Sequence, residues 1–176
     1  MSNPLPISKN RTFEEDVVAQ IRLVIAALDP TLYYAPADQL LPDGSPRPLR
    51  AINVQRLRPK LDAEGLLVLG SDDQCHVYLT EEPADSRTGP VGKSMLVSAD
   101  FTTDIYCGNM EGWAERDAWA YFWVDIIHDC LDGWKLGGKG WMQTLSHTTI
   151  IYDIVYGTGK KPYTLASIQW RAMRRR

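Results

Sequence analysis

A chain of 176 residues, 44% hydrophobic and 23% charged, is long enough to bury a real core and is ordinary for a globular protein; its net charge of −3 excludes a generic nucleic-acid binder. Its three cysteines, Cys75, Cys107 and Cys130, are odd in number and lack CxxC spacing, which argues against a disulfide framework or a zinc knuckle and fits reduced thiols in a cytosolic protein. Met1 to Asn10 is polar and proline-containing, so no secretory signal is expected, and no apolar run approaches a membrane span.

Residues 1–11 are expected to form a flexible arm. Thr12-Phe13-Glu14-Glu15 has the form of a capping box, in which the Thr12 hydroxyl and the Glu15 side chain exchange hydrogen bonds with each other's backbone amides. Val17, Ile21, Val24 and Leu28 then share one helical face, with Val18 and Ile25 beside them, and Asp29-Pro30 ends the run. The pattern predicts a helix over 13–28. Residues 30–48 contain Pro30, Pro36, Pro42, Pro46 and Pro48, with an Asp43-Gly44 turn. So long a connection suggests a binding loop or a flexible segment.

Leu49 to Leu57 alternates loosely, as a strand does. Leu66 to Leu69 and Cys75 to Thr80 are expected to be strands on either side of a Gly70–Asp73 turn. Residues 81–92 are polar and form a second expected loop. Met95, Val97, Ala99 and Phe101 alternate with polar residues, apart from Leu96, and predict a half-buried strand that can run on to Tyr106. Ala114 to Leu131 is the second predicted helix, with Trp119, Phe122, Trp123, Ile126, Ile127 and Cys130 as its apolar stripe and Gly133 just past its end. Trp134 to Trp141 is expected to be a glycine-rich connection. Thr144 to Tyr156 and Tyr163 to Met173 predict an antiparallel hairpin around Gly157–Pro162. The fold expected is α+β: a mainly antiparallel sheet with two helices packed on one face, long loops and a C-terminal β-hairpin. It forms a single domain over 1–176 with a basic tail at 171–176.

Chemical motifs are weak throughout. Asp125, His128, Asp129 and Asp132 share one helical face and could in principle hold a divalent metal, but a solvated acidic face accounts for them more simply. Cys75-His76 with Cys130, His128 or His147 could pair thiolate with imidazole. Adjacent strand residues point to opposite faces, however, and cysteine is commonly a core residue. Gly137-Gly138-Lys139-Gly140 lacks phosphate-loop spacing and follows a helix instead of preceding one. Six tryptophans are too many to bury comfortably in a chain of this size, so one or two are expected at an interface. No catalytic, cofactor-binding or metal residue is expected, and the chain is read as no enzyme. The alternatives are a small metal-dependent enzyme using Asp125, His128 and Asp129, and a module binding nucleic acid through its arginine-rich end.

The order of helix Phe13–Leu28, proline-rich loop Pro30–Pro48, strand Ser94–Tyr106, helix Ala114–Leu131 and ending Tyr163–Trp170 resembles the bacteriophage tail terminator (tail completion) proteins of the neck. That family has no diagnostic motif, and the resemblance is one of pattern across nearly the whole chain. It implies a virion protein, made in the host cytoplasm, that forms a homo-oligomeric ring, a hexamer. The ring would cap the tail tube, meet tail tube or sheath protein, and join the head–tail connector. DNA would pass through its lumen without sequence-specific binding, and no membrane is involved. A neighbouring connector, collar or gateway role fits the same pattern. Tyr33, Tyr34, Leu40 and Leu41 would be a sticky patch if exposed together, so a partner surface is expected to cover them. Arg174, Arg175 and Arg176 are expected to join such contacts through charge, and head-to-tail contacts between identical subunits can close into rings.

Overall fold

The computed structural model describes residues 9–29, 49–80, 84–86, 96–108, 112–138 and 141–175. Helix α1 (Lys9–Ala27) is followed by strands β1 (Ile52–Arg56), β2 (Lys60–Leu61), β3 (Leu67–Val68), β4 (Asp73–Leu79), β5 (Ala84–Ser86) and β6 (Leu96–Cys107). Helix α2 (Trp113–Leu131) comes next, then β7 (Lys135–Gly138), β8 (Trp141–Gly157) and β9 (Lys161–Arg175). The nine strands form one sheet in the order β1-β4-β6-β9-β8-β3-β2, with β5 on β6 and β7 on β8. The fold is α+β as expected. The sheet is mixed, however, because β1 runs parallel to β4 and β3 parallel to β8.

The core lies between the helices and one face of the sheet. Phe13, Val17, Val18 and Ile21 of α1 and Trp119, Trp123 and Ile127 of α2 pack on Cys75, Val77, Phe101, Ile105, Ala166, Ile168 and Trp170. Phe13 meets Phe101 edge-on at 5.2 Å, and Phe101 stacks on Trp170 at 6.2 Å. Polar contacts then fix α1. Arg22 donates to the Val54 carbonyl, and Glu14 accepts the Leu79 amide at 2.9 Å.

Several expectations need correction. Helix α1 begins at Lys9, so Thr12 lies inside it and residues 9–11 of the expected arm are helical, while residues 1–8 lie outside the described residues. Glu15 pairs with Arg56 of β1, a tertiary contact that sequence spacing does not announce. The strands expected on either side of Gly70–Asp73 do not pair with each other. β4 supplies Cys75 and Val77 to the core and lies between β1 and β6, whereas β3 reaches β8. Asp73 is no turn residue but the buried start of β4. The loop expected at 81–92 contains β5, and the connection expected at 134–141 contains β7. The basic tail expected at 171–176 is strand β9 as far as Arg175. The hairpin of β8 and β9 stands as expected, pairing from Gln143↔Arg174 to Gly157↔Lys161.

The sheet must also roll. β1 and β2 stand at opposite ends of the strand order, yet only Leu57, Arg58 and Pro59 separate them. Three linking residues span roughly 14 Å at most. Seven strands laid flat would put those ends about 29 Å apart. Rolling encloses the face away from the helices, which explains why polar residues there are buried. His76, Thr102 and Asp104 are all less than a tenth exposed.

Candidate functional site

β8 is the longest strand, and one of its sides is paired only near its ends. On one side it follows β9 from Gln143 to Gly157. On the other it meets β7 through residues 141–144 and β3 at Gly157 alone. Between them, from Ser146 to Tyr156, no strand among the described residues covers that side. Strand alternation places Tyr152, Ile154 and Tyr156 on the helix-bearing face and Ile151 on the other. All four are exposed, and Tyr152 is joined by Tyr121 of α2, ring centroids 4.7 Å apart. The Ile154 amide donates to its neighbour Asp153 at 2.7 Å. An open row of backbone donors and acceptors flanked by large apolar side chains is a template for another strand.

A second feature gathers at the end of α2. The helix stops where Gly133 turns to a φ of 68°, a left-handed conformation that suits glycine. The Gly133 amide then donates to the Leu145 carbonyl, tying the helix end to β8. A β-bulge between His147 and Thr149 shifts the alternation of β8, so that Leu145, His147 and Ile150 all face the helices. His147 thereby meets His128, with Nδ1 and Nε2 2.9 Å apart. Asp132 Oδ1 lies 3.8 Å from the same His147 nitrogen, and Asp129 Oδ1 lies 3.7 Å from His128 Nδ1. Trp170 lies beneath both imidazoles, at 6.0 and 6.2 Å.

The enclosed face of the sheet carries a third cluster. Asp104 accepts hydrogen bonds from Tyr78 (2.6 Å), Tyr106 (3.2 Å) and Ser167 (2.6 Å). Burial raises both tyrosine hydroxyls well above their ordinary value, and the Asp104 carboxylate adds to that. His76 Nδ1 meets the Leu57 carbonyl at 2.8 Å, so that nitrogen carries the proton; Nε2 is buried without a hydrogen-bond partner among the described residues. On the helix side, Asp73 accepts from Arg50 (3.1 and 3.2 Å) and from the Trp123 indole (3.1 Å). The carboxylates of Asp104 and Asp73 are satisfied buried polar groups of the kind that fix strand register.

The residues singled out from the sequence fare unevenly. Of the expected face, Asp125, His128 and Asp129 lie on α2 and Asp132 is its C-cap, just past the helix; it is His147 that joins His128 and Asp132. Sequence spacing concealed that partner because the bulge shifts its face. Cys75 and His76 do point to opposite faces. Burial raises the thiols of Cys75 and Cys107, and that of Cys130 to about 11, which disfavours thiolate chemistry. Trp119, Trp123 and Trp170 are buried and Trp113 is exposed. Tyr33, Tyr34, Leu40, Leu41 and Arg176 lie outside the described residues, and Arg174 and Arg175 are described only as backbone of β9. No protein-family model matches the chain, and no curated protein matches it.

Proposed function

We propose that this chain is a structural subunit that joins copies of itself through the open side of β8 and forms the ring of a phage neck, terminating the tail tube and meeting the head–tail connector. The observation that carries the assembly reading is the stretch Ser146–Tyr156, whose second side no strand among the described residues covers, with Ile151, Tyr152, Ile154 and Tyr156 exposed beside it. A free monomer that kept such an edge would be liable to indiscriminate pairing, whereas a partner strand satisfies its backbone and covers its side chains. Placement in the neck is supported by the order of elements: a helix, several strands, a second helix on the sheet and a final long hairpin. In this reading Tyr33, Tyr34, Leu40, Leu41 and Arg174–Arg176 contribute further contacts to the same partners, tail tube or sheath protein and connector. DNA passes through without being read, and no side chain acts as a catalyst.

The test replaces Ile151 and Ile154 with lysine, placing charge along the open edge. Circular dichroism should be unchanged, because both side chains are exposed. Particles assembled with the variant should show headless or overlong tails. Normal tails joined to heads, from a protein that incorporates and folds, would overturn the edge as the assembly surface.

A further inference from the structure

We infer that His128, His147 and Asp132 form a binding site for one divalent transition-metal ion of the zinc, nickel and copper class, joining the end of α2 to β8. Two ligands come from the end of the helix, His128 in its last turn and Asp132, four residues on, at its C-cap. The third comes from a strand, brought round by the bulge. Their ligand atoms, His128 Nε2, His147 Nδ1 and an Asp132 oxygen, all lie within 4.8 Å of one another.

Those spacings match what one ion requires. With metal–nitrogen and metal–oxygen distances of about 2.0–2.2 Å, two ligands on one ion stand about 2.9 Å apart at a right angle and about 3.4 Å apart at the tetrahedral angle. The two imidazole nitrogens are already 2.9 Å apart, and Asp132 has to approach by under an ångström from 3.8 Å. All three side chains are partly exposed, at 28%, 40% and 45%, so that approach is a rotamer adjustment and water can fill the remaining positions. Asp129 lies 3.7 Å from His128 Nδ1, beyond hydrogen-bond distance, and would have to close in to accept the other N–H of a ligating imidazole. Trp170 forms a rigid floor beneath both rings. Imidazole with carboxylate selects zinc, nickel or copper, whereas magnesium and calcium prefer sites built of oxygen alone.

The experiment uses the untagged full-length chain, stripped with chelator and titrated with zinc chloride by calorimetry. One ion per chain should bind, and zinc, but not magnesium, should raise the thermal midpoint. Copper should quench tryptophan fluorescence in proportion to occupancy, because Trp170 adjoins the site. His147→Ala and Asp132→Ala, both exposed and expected to fold, should each weaken zinc binding about tenfold or more. His76→Gln, on the enclosed face, should leave binding unaltered. Absence of binding heat and of a thermal shift would overturn the site, and so would zinc binding undiminished in His147→Ala.

Discussion

Cys75 and His76 are adjacent on β4, yet one packs among the helices and the other is enclosed by the rolled sheet. Burial lowers the pKa of His76 below its ordinary value of 6.5, with the Leu57 carbonyl and Asp104 opposing. The folded state therefore resists a proton that the unfolded chain accepts. His76 costs nothing above pH 6.5, and stability declines as the pH falls from there toward the lower folded value. Urea midpoints measured between pH 7.5 and about 5 should fall less steeply in His76→Gln than in the wild type. Parallel curves would mean that His76 is not the acid-sensitive group. Opposite facing of these two residues follows from strand alternation alone, so the sequence was sufficient there. It was not sufficient for His147 or Asp73. A single bulged residue shifts His147 onto the helix face, and Asp73 beside Gly70-Ser71-Asp72 has the composition of a turn until Arg50 and Trp123 are seen to hold it.

Elements with long, unbroken patterns were the legible ones. Both helices and the β8–β9 hairpin carry enough residues for periodicity to show, and their places in the fold follow from it. β2, β5 and β7 have two to four residues each and are strands only because a neighbour pairs with them, which no local pattern can announce. Local packing also decides where the long strands accept a side chain. Tyr163 lies flat across Gly108 and Gly157 on the enclosed face, so a Cβ on Gly108 would fall 2.1 Å from its ring and one on Gly157 2.6 Å. Gly108→Ala is expected to cost about 1–3 kcal/mol by forcing that ring aside. In a Tyr163→Ala background the same change should cost much less, and a double-mutant cycle by chemical denaturation measures the difference. Equal cost in both backgrounds would show that the ring is not what Gly108 accommodates.

At the scale of the whole molecule, rolling the sheet removes one problem and leaves another. The three-residue link between β1 and β2 draws the ends of the strand order together and shelters the Asp104 cluster. The free side of β8 stays outside that closure, and it leaves a signature in time. Along an antiparallel strand, successive amides point to opposite neighbours. Between Thr149 and Tyr156, past the bulge, every second N–H therefore faces β9 and the rest face no strand among the described residues, the Ile154 amide meeting its own neighbour Asp153. In the isolated chain, hydrogen–deuterium exchange should beat with a period of two along this stretch, slow toward β9 and fast toward the open side. When the proposed partner strand arrives, the fast set should slow to match its neighbours. The loss of alternation thus marks the moment of subunit addition, amide by amide, on a strand whose own fold does not change.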